Sequence, residues 1–226
     1  MKQKIAAILI MFGMSISAHA QLGGLGSMLG GGGGGGGGVD SAAVEKFTVD
    51  AVLISKAVTY AALQIQAALG DKQKIETLKE SISKMNGTTN PQEQNALMGT
   101  IIKSSLADSI DLMKSAEGKA RMEKLSPEMK EKVAKSLLSV GIAALRVKPL
   151  MDNGTKMVQG MASNPTLLSK VGLVKESLTL LGDAAPKLPD LVSTGFALMK
   201  EVKVNPGNPT ADAKLAVDTS IQIPEN

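Results

Sequence analysis

The segment AVLISKAVTYAALQIQAAL, residues 51–69, carries a single charge, Lys56, and sits in a longer stretch, Ala42 to Leu69, without glycine or proline. Such a run predicts one helix of about 42 Å at ~1.5 Å per residue. Asp40 and Ser41 supply N-cap side chains, and Gly70 suits a C-terminal cap. A helix with no polar face over half its length has two outcomes: enclosure by other elements, or contact with lipid. Everything else in the chain has to accommodate that choice.

The remaining periodicity is also helical. After Asp71, a further cap, Ile75, Leu78, Ile82 and Met85 recur at spacings of three, four and three on an otherwise polar segment that ends at Asn86-Gly87. This is a narrow seam against one or two neighbours. Three polar-residue–proline pairs, Asn90-Pro91, Ser126-Pro127 and Asn164-Pro165, mark further helix starts, because the first-turn amide that proline lacks has no intrahelical partner. They predict helices from Pro91 to near Ala116, from Pro127 to near Val147, and from Pro165 to near Leu181. A stretch from Pro149 to Met161 is expected to be interrupted at Asn153-Gly154, and a last helix is expected between Pro186 and Val204. After NPGNP the chain reads as a tail with at most a turn or two between Ala211 and Val217. No segment reads as a strand, so the expectation is an all-α, single-domain bundle of about five to seven helices over residues 40–204, with a proline-containing tail over 205–226.

LLSVGIAAL (137–145) aligns on LVSTGFALM (191–199) without gaps. Gly141, Gly172 and Gly195 fall inside predicted helices, where each costs up to about 1 kcal/mol against alanine. With Ser139, Ala143, Ser193 and Ala197 one turn away, these positions are candidates for close helix packing or for an interaction surface.

The N-terminus reads as an export signal: Lys2 and Lys4, an apolar stretch from Ile5 to Met14, and Ala18-His19-Ala20, which fits cleavage after Ala20. Residues 1–20 are therefore expected to be removed, placing the protein in the periplasm or outside the cell. Residues 21–39 are a glycine-rich leader. Nine consecutive glycines, Gly30 to Gly38, form a tether with a typical span near 16 Å, and Leu22, Leu25, Met28 and Leu29 ahead of it form a short apolar hook.

Removal of the signal takes away the single histidine, His19, and two lysines, which leaves 23 basic against 21 acidic residues. The two signs alternate along the chain, which excludes the electrostatic footprint of a nucleic-acid binder. There is no cysteine, so stability rests on burial rather than disulfides. Without His or Cys the mature chain has no imidazole base, thiolate nucleophile or zinc ligand set. Ser81-x-x-Lys84 lacks its companion motifs. Asp108 with Asp111, and Glu128 with Glu131, have the ordinary spacing of a charged helix face, and Phe47, Tyr60 and Phe196 are too few to build a glycan platform. Met151, Met157 and Met161 read as core filling rather than a copper site.

No catalytic residue, cofactor or metal site is expected. The sequence points to an exported, non-catalytic helical protein that binds or scaffolds in the bacterial cell envelope, through a protein partner or self-association. The alternative is a lipid-active protein, an acyl-chain carrier or one whose 51–69 helix enters a membrane.

Overall fold

In the computed structural model, which describes residues 39–70, 72–88 and 91–224, the Asp40 carboxylate accepts the Ala43 amide at 2.7 Å. It thereby starts helix α1, Ser41–Leu69. Six more α-helices follow among the described residues: α2 (Lys72–Gly87), α3 (Pro91–Lys114), α4 (Ala116–Lys124), α5 (Pro127–Met161), α6 (Val171–Ala184) and α7 (Leu188–Glu201), with a 3-10 segment at Pro165–Lys170 before α6. No strand occurs among these residues. The export signal, the cleavage point after Ala20, the glycine run, the hook residues Leu22, Leu25, Met28 and Leu29, and the caps expected at Asp71 and Asn90 lie outside the described residues.

Helix α1 is the axis of the bundle, packed against α2, α3, α4, α5 and α6. Every residue from Ala57 to Leu69 is buried. Polar groups knit it to α3: the Gln66 amide donates to the Ser105 carbonyl at 3.1 Å, and the Ser109 hydroxyl donates to the Ala62 carbonyl at 3.2 Å. The Ser55 and Thr59 hydroxyls share that face of α1 and are buried without a hydrogen-bond partner. Gly70 caps the helix in an extended conformation (φ −72°, ψ 163°) and donates its amide to Gln66, so the cap is not a left-handed turn.

Helix α2 turns its seam inward as its spacing requires. Leu78 and Met85 join Tyr60, Leu63, Met98 and Leu180 in a satellite core, Ile82 packs against that core, and Ile75 is buried.

The helix ends differ from the sequence expectation in three places. First, the helix from Pro91 stops at Lys114, and Ser115 caps a separate short helix, α4, by accepting the Gly118 amide at 2.9 Å. Second, α5 runs unbroken for 35 residues through Pro149, Asn153 and Gly154. Pro149 removes the amide that would bond the Leu145 carbonyl, on a turn where Leu145 is 48% exposed. Gly154 is not a turn residue: a Cβ there would lie 2.5 Å from the Phe47 ring and 2.8 Å from Leu178, so its missing side chain admits Phe47 to the core. Third, Pro165 opens 3-10 turns rather than an α-helix. The Asn164 carboxamide oxygen accepts both the amide and the hydroxyl of Thr166, and only Leu167 of that segment is buried.

Candidate functional site

The segment after α7 is the least regular part of the described chain, and it is strapped across the bundle. Lys203 (φ 59°) and Gly207 (φ 87°) turn it back. Pro209 then reaches α5, where it sits against Gly141; a Cβ on Gly141 would lie 2.9 Å from the proline ring. The buried Arg146 donates from Nε to the Ala211 carbonyl at 2.7 Å and from its terminal nitrogen to the Ala213 carbonyl. Further along, the Ser139 hydroxyl donates to the Ala216 carbonyl at 2.8 Å, and Lys132 donates to the Ser220 hydroxyl at 2.8 Å and pairs with Asp218 at 3.5 Å. At the far end, Gln64 of α1 and the backbone of Gln222 exchange two hydrogen bonds of 3.2 Å. The strap therefore runs antiparallel to α5, past 146, 139 and 132, and ends on α1.

Its apolar side chains follow a period of two: Leu215 is buried, and Val217, Ile221 and Ile223 pack partly buried against the two cores. Beneath it lies a cavity of about 190 Å³ between Tyr60 and Ala61 of α1, Leu138 and Ile142 of α5, and Val217 and Asp218 of the strap. Burial pushes the Asp218 carboxyl up, but the Ser220 hydroxyl and amide and the Lys132 ammonium outweigh it, so its pKa lies below the ordinary carboxylate value. Burial raises the Tyr60 phenol.

A second, more open hollow of about 330 Å³ lies between α3, α4 and α7, with Met113, Lys114, Ser193 and Ala197 in its wall and the Lys119–Glu201 pair, 3.0 Å apart, beside them. Ser193 and Ala197 are exposed there rather than packed between helices. The other small residues separate in the same way. Gly195 meets Leu137 of α5 with no room for a side chain, and Ala143 is fully buried. Gly141 seats Pro209 of the strap and also faces α7, with the Phe196 ring 3.6 Å from where its Cβ would lie, and Ser139 holds the strap by its hydroxyl. A Cβ on Gly172 would have nothing within 4 Å, and the residue is exposed, so the expected close approach there does not occur. Met157 and Met161 are buried in the main core, with Met151 packed against it. Among the described residues no group of three or more acidic residues is arranged to hold a metal ion.

In the sequence its glycines and prolines make the strap read as a tail. The signal that marks it is the alternation of Leu215, Val217, Ile221 and Ile223, one side of an extended chain lying on an apolar surface.

What fold and site define together is an all-α helical bundle closed by an extended C-terminal strap. No protein-family profile matches the chain, and no curated protein or solved structure is significantly similar to it.

Proposed function

We propose that this protein is an exported, non-catalytic helical bundle that works by protein contact, as a binding or scaffolding component of the bacterial cell envelope. The observation that carries the choice is the state of α1. It is the described helix long and apolar enough to cross a membrane, and 83% of its most apolar window is buried inside the bundle. Releasing it would expose buried residues from α3, α5 and α6 together with α1 itself, at roughly 25 cal/mol for each Å² of apolar surface uncovered. A lipid carrier or an inserting protein has to expose such a helix or wrap it around a cavity, whereas a scaffold keeps it enclosed.

Dye release from vesicles of anionic and of neutral lipid, together with native mass spectrometry of protein purified from its own host, tests the reading. The expected result is no leakage at low micromolar protein and no retained lipid. Leakage, or a stoichiometric lipid in the native spectrum, would move the protein to the lipid-active class.

A further inference from the structure

Helix α2 is held differently from the rest of the bundle. The main core draws side chains from α1, α3, α4, α5, α6 and α7, and none from α2. Leu78 and Met85 enter the satellite core instead, with Ile82 partly buried against it. Gln73, Thr77, Glu80 and Lys84, on the opposite face of α2, are exposed. The neighbouring helices are cross-tied: Gln66 and Ser109 join α1 to α3, Lys103 of α3 pairs with Asp183 of α6 at 3.2 Å, and Arg121 of α4 donates to the Leu69 and Gly70 carbonyls. In α2 the Thr77 and Ser81 hydroxyls donate to carbonyls one turn back and Lys79 pairs with Glu76, all within the helix.

Opening α2 therefore forfeits one narrow seam and no part of the main core. Against that loss stands the conformational entropy of 16 residues, and a helix of this length has little stability of its own in water. A segment with so few buried contacts opens well below the free energy of global unfolding. What its opening bares is specific. Tyr60, Leu63 and Ala67, spaced three and four along one stripe of α1, lose their cover together with Met98 and Ile101 of α3 and Leu180 of α6. Val58, Ala62, Ile65 and Leu69, on the other faces of α1, stay in the main core.

We infer that α2 is a lid. It opens as a unit while the main core stays closed, and so governs access to one apolar stripe of α1 without releasing that helix or breaking its hydrogen-bond ladder.

Helix α1 supplies its own control. Ala62 and Ala67 are both 0% exposed, the first in the main core and the second in the satellite core, and the chain has no cysteine. Full-length Ala62→Cys and Ala67→Cys proteins are labelled with a small aromatic disulfide in native buffer, each rate being referred to the same thiol in urea-unfolded protein. The lid predicts labelling at position 67 at least about tenfold faster than at position 62. Leu137→Ala, which weakens the main core, should speed labelling at 62 at least about tenfold and leave 67 within about twofold, whereas Leu78→Ala should speed 67 at least about tenfold. Equal rates at the two positions would overturn the inference, as would a Leu137→Ala substitution that speeds both alike. Hydrogen exchange of the unsubstituted protein covers a cysteine variant that does not fold. Peptides from residues 72–87 should then exchange at least about tenfold sooner than those from α5, with a weaker dependence on urea. Exchange of the two in step would overturn the lid.

Discussion

Individual side chains decide stability here through what lies opposite them. Gly195 and Gly172 look alike in the sequence, yet one faces Leu137 and the other faces open space. Gly195→Leu is expected to lower the unfolding free energy by about 1–3 kcal/mol through overpacking, despite leucine's better helix propensity. Gly172→Ala is expected to raise it, by up to about 1 kcal/mol. Urea unfolding of the pair measures both, and equal effects would contradict the assignment. That difference was not legible in the sequence, because a glycine's role is set by the residue packed against it from another element. The same limit hid Thr59. Its hydroxyl is buried without a partner, so Thr59→Val, which keeps the shape and removes the desolvated group, is expected to raise stability by about 1 kcal/mol. A loss on that substitution would mean that the hydroxyl is engaged by a group of its own.

At the level of elements, the helices were readable wherever local chemistry marks their ends. Ser126 accepts the Met129 amide as an N-cap should, at 3.2 Å, and the α2 seam faces inward. Ends were misread where tertiary packing overrides the local signal, as at Gly154, where Phe47 needs the space, and at the strap, whose order comes from α5. The strap also carries a pH dependence. Asp218 faces Lys132 and Lys135 of α5, with Lys214 on its own segment and Glu131 engaged by Lys135 at 2.7 Å. Because its folded pKa is depressed, its contribution is complete above the ordinary carboxylate value of about 3.9 and is lost as pH falls through the lower folded value. Limited proteolysis at residues 205–224 should therefore accelerate as pH is taken below about 4, with an acid-active protease and a matched unstructured peptide as reference. Asp218→Asn should abolish that acceleration and raise the cleavage rate at neutral pH. An acid response that persists in the variant would place its origin elsewhere. Arg146→Met should speed cleavage of the strap at all pH values, because it leaves the Ala211 and Ala213 carbonyls without their donor.

For the whole molecule, the fold follows from one demand, the enclosure of a helix whose 51–69 portion carries only one charge, Lys56, in a chain with neither disulfides nor many aromatic side chains. Leucine, isoleucine, valine, alanine and methionine from α1, α3, α5, α6 and α7 build the main core, with Phe47 from α1 and Leu215 from the strap. That much was legible from composition and periodicity. Which side of the choice α1 takes was not, since the same residues satisfy a membrane and a protein interior equally. The central claim is that α1 stays enclosed while the protein works. Hydrogen exchange resolved by mass spectrometry, with and without vesicles of anionic lipid, tests it most directly. The account predicts that peptides covering residues 54–69 exchange only through global unfolding and are unchanged by lipid. Selective deprotection of that segment in lipid's presence, with α5 still protected, would contradict it.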